Sequence, residues 1–257
     1  MNFRIISTNI RFDTPQDKEH AWDHRKQILF DQINEFSPDL LGTQEGREPQ
    51  LRDFESGVEN LKMIDSHRSW IDERMYPTIY VNPAEVDVFE SGDSWLSETP
   101  NVDGSSSFDS AFPRLFTWIK AKFKKSGKDF FYINTHFDHV KDSTRKEQVR
   151  VLIEEAKKIN STNLPIIISG DFNEAPDQHV HKSLISEMKT IYDPWIMQNN
   201  AEEGSFHKFN GDNEGNARID WILVDFKMKT YDIFLDKKEK DGIYPSDHFI
   251  VKGNFEL

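Results

Sequence analysis

The chain has 257 residues, with 32 Lys+Arg against 45 Asp+Glu and a formal net charge of -13. That balance excludes a protein that holds long nucleic acid by surface charge, because phosphate binding needs a basic face. It permits a small phosphorylated ligand, since a local cation offsets the field inside a cleft. With no cysteine in the chain, disulfides, thiolate zinc sites and cysteine nucleophiles are excluded as well.

In chain order, residues 3–9 read as a first strand, entered directly from the N-terminus without the apolar core of a signal peptide. Residues 21–36 read as a helix, with Trp22, Ile28, Leu29, Ile33 and Phe36 near one stripe and Ser37-Pro38 as its stop. Leu40–Gln44 is a short buried strand with Glu45 at its exit. Residues 77–81, 87–89, 115–124 and 130–137 are strand candidates, the last two joined by a hairpin turn at Ser126-Gly127-Lys128. Residues 143–159 form the best helix, with Thr144 and Glu147 as a capping box and Val149, Leu152, Ile153, Ala156 and Ile159 as its buried face. Residues 165–169 are an apolar run of the central-strand kind. A helix over 179–188 and strands over 218–224 and 249–255 follow.

Strands outnumber helices and cluster into hairpins, so the expected fold class is α/β (α+β), two mixed sheets packed face to face with helices outside. No Pro/Gly/Ser linker divides the chain, so a single domain over 1–257 is expected. No stretch approaches a membrane span, and a soluble cytoplasmic protein without stable membrane association is the expectation.

The chemistry-bearing residues fall mostly at the ends of strand-like runs, where side chains converge on one rim of a sheet. They are Ser7-Thr8-Asn9, Gln44-Glu45, Asn134-Thr135-His136, Ser169-Gly170-Asp171-Phe172-Asn173, Arg218-Ile219-Asp220 and Ser246-Asp247-His248. Taken singly each is weak: Asp171 and Asn173 read first as a turn that caps a strand. Residues two apart in a strand share a face, which pairs Asn134 with His136 and Asp171 with Asn173; Gly170 before Asp171 permits a tight turn out of the sheet. An unpaired Glu45 at the end of a buried strand is costly, and a hard cation such as Mg²⁺ relieves it. Asp220 beside Trp221 demands a partner, and an imidazole suits it. Carboxylates, amides and two imidazoles on one rim describe a metal-assisted site for cleaving phosphate esters.

The ordered set from Thr8-Asn9 to Ser246-Asp247-His248 resembles the endonuclease/exonuclease/phosphatase (DNase I-like) superfamily over nearly the whole chain. The stretches Gly92–Pro100, Pro113–Trp118 and His136–His139 resemble a compact bacterial group related to its deadenylase/nocturnin branch. The resemblance implies a four-layer α/β sandwich and a Mg²⁺ or Mn²⁺ cofactor. It implies Glu45 as main metal ligand, with Asn9 and Asp247 near the metal. It implies that Asp171 orients or deprotonates the attacking water, that Asn173 steadies the phosphoryl oxygens, and that His136 donates to the phosphate. It implies that His248, held by Asp220, is the other half of the acid–base apparatus, and the family pattern leaves open which of Asp171 and His248 takes the proton.

For substrate binding, Asn9 is a candidate phosphate contact and Arg114 a bidentate phosphate clamp or else a surface salt bridge. Trp95 is a ring-stacking candidate or a core aromatic. His139 lies three past His136, and strand periodicity puts it on the opposite face. His179 and His181 read as solvent-facing rather than as a zinc site. The acidic balance favours small phosphorylated substrates over long nucleic acid, with a metal-dependent nuclease of RNA or DNA and a non-catalytic binding module as alternatives. A serine hydrolase built on Ser246 or Ser169 lacks the Gly-x-Ser-x-Gly elbow that exposes a nucleophile.

Overall fold

Alternation along the strands decides how the layers stack, seen here in a computed structural model that describes residues 1–257. One mixed sheet comprises β1 (Asn2–Asn9), β2 (Leu40–Gln44), β3 (Lys62–Met63), β4 (Thr78–Val81), β11 (Lys229–Asp236) and β12 (Ile250–Glu256). Its order is β11-β12-β1-β2-β4-β3. The second holds β5 (Val86–Trp95), β6 (Leu115–Phe123), β7 (Lys128–His136), β8 (Ile166–Asp171), β9 (Ile191–Tyr192) and β10 (Asp220–Asp225), in the order β5-β6-β7-β8-β10-β9.

Ile5, Leu40 and Ile79 from the first sheet meet Ile119, Tyr132, Ile167 and Ile222 from the second in a core between them. Their neighbours Ile6 and Leu41 face outward instead, against α1 (Trp22–Phe36) and α2 (Glu48–Gly57) through Leu29, Phe30, Ile33, Leu51 and Phe54. On the other outer face, Ile133, Ile166, Ile168 and Trp221 pack on α3 (Asp142–Ile159) and α4 (His179–Glu187). The result is the expected four-layer α/β sandwich. β8, covered on both faces, explains the apolar run read at 165–169. A short α5 (Pro194–Met197) completes the helices, and no helix is long and apolar enough to cross a membrane.

The elements the sequence hid are mostly edges. β5 runs ten residues instead of three, because its polar Glu90-Ser91-Gly92-Asp93 stretch is an edge that needs no apolar outer face. β11, the opposite kind of surprise, is half-exposed for the same reason. The capping box on α3 does not form: Thr144 donates its hydroxyl to the Phe108 carbonyl at 2.6 Å, and Glu147 accepts from Arg150 at 3.0 Å. Gly170 makes no turn; the strand continues through Asp171. Glycine is needed there because a Cβ would sit 2.3 Å from the Thr135 carbonyl oxygen on β7. His181 is buried rather than solvent-facing, with Nε2 3.1 Å from Asp193, which also pairs with Arg218 at 2.9 Å. His179 is exposed as expected.

Two polar brackets fix the sheets to each other. Asn134 on β7 reaches across to donate to the Thr43 carbonyl (2.8 Å) and the Thr78 carbonyl (3.0 Å), and accepts from Gln44 Nε2 at 2.7 Å. Arg68, in the loop before β4, forks onto Asp93 of β5 at 2.7 and 2.9 Å and also donates to Thr78 and Thr117. Burial pushes the Asp93 carboxyl up, but Arg68 and His67 outweigh it and hold the group well below the usual carboxylate range. A depressed carboxyl pKa stabilises the fold above the unfolded-state value and loses that contribution as pH falls through the folded one. Asp93→Asn is therefore expected to cost about 3–5 kcal/mol near neutral pH, the scale for stranding one partner of a buried pair. Thermal or urea melts check this, and the gap to wild type should narrow on acidification.

Candidate active site

Strand register brings the catalytic candidates abreast. His136 of β7 stands opposite Asp171 of β8, and Asp171 opposite Asp220 of β10. β1 and β2 run parallel and end together at Asn9 and Gln44, which puts Glu45 on the same rim. The turn before β12 delivers Asp247 and His248 to it, and the loop before β6 delivers Arg114. Glu45, Arg114, His136, Asp171, Asp247 and His248 line one cleft of about 470 Å³, with Asn9 and Asp220 buried behind them.

Asp220, fully buried, holds His248 Nδ1 at 2.8 Å and is itself fixed by the Ser205 hydroxyl at 2.6 Å. The far nitrogen of His248 is thereby aimed at Asp171, with Nε2 3.8 Å from Oδ2. Burial pulls the His248 imidazolium down; the charge and hydrogen bond of Asp220, then Asp171 and Asp247, outweigh it and raise its pKa well above the ordinary value. Burial, then the Asp220 charge, pushes Asp171 up to about 7. Asp171 Oδ1 accepts the Asn173 backbone N–H at 2.9 Å, so the strand-capping turn is present as well. Asn173 takes a left-handed φ of 51° and spends one side-chain N–H on the Phe137 carbonyl at 3.1 Å. Its second amide proton has no such partner.

Asn9 Nδ2 spans Glu45 Oε1 (3.1 Å) and Asp171 Oδ2 (3.0 Å), which links the two halves of the site. Glu45, at a left-handed φ of 69°, otherwise accepts only the Phe12 N–H at 3.2 Å. Burial, and then the neighbouring Glu45 charge, raises the Asp247 carboxyl, although His248, Arg11 and Arg25 pull the other way. Arg11, the cation at that end, is forked onto Asp17 at 2.9 and 3.0 Å. Two mutually repelling carboxylates are a donor set that fits a hard divalent cation, while the Asn9 amide oxygen accepts the Arg11 backbone N–H at 2.9 Å. Asp171, Asp220 and His248 also place ligand-type atoms within 4.8 Å of one another, and Asp220 and His248 already share a hydrogen bond.

Arg114 is neither a surface residue nor salt-bridged: it is buried, with Nη1 2.9 Å from His136 Nδ1 and Nη2 3.5 Å from His139 Nδ1. Burial and then Arg114 push the His136 pKa well below the ordinary value. His139 lines the cleft after all, because the chain leaves strand geometry after His136 and periodicity no longer applies. Trp95 does not reach the cleft. It is 2% exposed, packs edge-on to Tyr76 at 6.2 Å and belongs to the core under α1 and α2. Arg218 also points away, into the Asp193 and Glu202 pairs.

The sequence reading missed Phe12, Arg47, Glu73, Arg74 and Met75 on one wall, and Phe112 and Phe206 on the other. They sit on irregular loops without strand periodicity. It also missed Arg25 on α1, whose buried guanidinium donates to the Ile10 (2.6 Å), Arg11 (2.7 Å) and Pro245 (2.9 Å) carbonyls. Arg25 thus ties the loop after Asn9 to the turn carrying Asp247.

No curated protein matches the chain. Among solved structures, a mannosyl-6-phosphatase from Bacteroides thetaiotaomicron superposes with a TM-score of 0.89 at 26% identity, covering 99% of this chain and 100% of that one. An endonuclease/exonuclease/phosphatase from Bacteroides vulgatus gives 0.91 at 27%, over 100% and 99%. The human Nocturnin catalytic domain gives 0.74 at 18%, over 99% and 93%, a likeness of fold. The family model described as Endonuclease/Exonuclease/phosphatase family matches residues 6–248, and the chain belongs to that family.

Proposed function

We propose that the protein is a Mg²⁺- or Mn²⁺-dependent hydrolase of small phosphate esters. The observation that carries this reading is one cleft shared by Asp171, His248 with Asp220 behind it, and the Glu45 and Asp247 carboxylates. A cation held by Glu45 and Asp247, with the Asn9 amide beside it, would supply positive charge to the phosphoryl group and its leaving oxygen. Asp171 Oδ2 and His248 Nε2 are the two atoms that hold the attacking water's proton, and Asp220 keeps the imidazole aimed. The free Asn173 N–H, His136 and Arg114 donate to the phosphoryl oxygens as charge builds.

The net charge of -13 and the likeness to a mannosyl-6-phosphatase support a small phosphorylated substrate, a sugar phosphate first among them, over a polynucleotide. Incubation of the purified protein and Mn²⁺ with mannose 6-phosphate, nucleoside monophosphates and plasmid DNA tests this. Phosphate release from small esters, with weak and salt-sensitive plasmid nicking, is the expected result. Efficient nicking at physiological salt with no small ester turned over would make the protein a nuclease.

A further inference from the structure

Arg114 is a buried cation that no carboxylate satisfies. Its two Nη groups rest on imidazole nitrogens, and its Nε–H has no partner. Asp138 is fully engaged elsewhere: its oxygens accept the N–H groups of Ala111, Val140 and Lys141 and the Ser110 hydroxyl. Glu45, Asp171 and then Asp138 attract the guanidinium, but none of them forms a salt bridge with it. An unpaired buried charge is costly, and the cost is recovered when a ligand's negative charge arrives beside it.

The hydrogen bonds also fix what this corner offers. A guanidinium has no acceptor, so Nδ1 of His136 and of His139 must carry the lone pair and Nε2 the proton. The corner therefore presents a guanidinium and the His139 N–H, while the His136 Nε2–H lies 3.4 Å from Asp171 Oδ2 at its edge. Phe112 closes it, with its ring 5.9 Å from the His139 ring at 21° and 5.7 Å from Arg114 Cζ.

We infer that the corner formed by Arg114, His136, His139 and Phe112 selects a phosphate monoester dianion over a phosphate diester. This rests on the hydrolase reading above and names its substrate class. A monoester brings three non-bridging oxygens and up to two charges to a corner led by an unpaired guanidinium. A diester brings two oxygens and one charge, and its second substituent would have to enter the corner and leave buried donors unpaired. Sites built to hydrogen-bond a group reject analogues that lack it. In the reaction the water oxygen bonds to phosphorus and the ester P–O bond breaks. The water's proton ends on the leaving alkoxide, releasing an alcohol and inorganic phosphate.

The test compares kcat/KM for para-nitrophenyl phosphate and its methyl ester, which share a leaving group, with Mn²⁺ present. Wild type, Arg114→Met, Arg114→Lys and His139→Ala are measured, with circular dichroism to verify each fold. Wild type is expected to favour the monoester. Arg114→Met should reduce monoester turnover at least about tenfold more than diester turnover, the scale of one charge-assisted hydrogen bond. Lys should restore part of the monoester rate, and His139→Ala, at an exposed position that folding tolerates, should shift selectivity the same way by less. Inorganic phosphate should inhibit Arg114→Met more weakly than wild type. Preference of wild type for the diester, or equal loss on both esters in the variants, overturns the inference and leaves the hydrolase reading standing. Wild type that cleaves neither ester overturns both.

Discussion

Glu45→Gln is expected to fold normally and to lose about 100-fold or more of its metal-dependent turnover at sub-millimolar Mg²⁺ or Mn²⁺. The substitution removes the charge at nearly constant shape. Glutamine keeps the length, takes the same left-handed backbone with the same strain, and still offers Oε1 to Asn9 Nδ2. What it removes is one of the two carboxylates, Glu45 and Asp247, whose mutual repulsion a cation would relieve. It also turns the acceptor of the Phe12 N–H into a donor. Manganese-binding calorimetry should show weaker affinity in step with the lost rate. Near-wild-type turnover at low metal would remove Glu45 from the ligand set.

The second large effect concerns the relay. Asp220→Asn and His248→Ala are each expected to cost about 10³–10⁴-fold in kcat, the scale seen when a catalytic imidazole loses its orienting carboxylate. The double variant should be little worse than the poorer single one, because residues that act as a unit are non-additive. The geometry gives the reason: His248 Nδ1 and Asp220 Oδ2 are 2.8 Å apart with both side chains buried, so neither has another way to aim Nε2 at Asp171. Single-turnover kinetics on the three variants checks this. Losses that multiply cleanly would show that the two side chains act separately.

Much of the frame was legible because it rests on period. Strands covered on both faces, such as β8, and helices with one apolar stripe, such as α1 and α3, announce themselves in the chain. Edge strands β5 and β11 did not, since a strand with a solvated side carries the polar residues of a loop. The rim was legible for a related reason: Asn9, His136 and Asp171 terminate strands, and parallel or antiparallel register brings such ends together. Loop-borne features were hidden. Phe112, Arg47 and Arg74 line the cleft from segments with no periodicity, and His139 was assigned to the wrong face by extending a strand past its end. Trp95 erred the other way: it ends a strand, yet its side chain turns into the core. The roles of Asn134, Gln44 and Arg25 depend on contacts between the two sheets or across the chain, which no local pattern encodes.

The central claim is that Asp171 and a cation at Glu45 and Asp247 act together on a phosphate ester. It is tested most directly by measuring phosphate release from a small ester, with protein stripped of metal by EDTA and then titrated with Mn²⁺, for wild type and Asp171→Asn. The stripped protein should release no phosphate, wild type should recover saturably, and Asp171→Asn should bind metal without recovering turnover. Full activity of the stripped wild type, or equal recovery in both proteins, would contradict it.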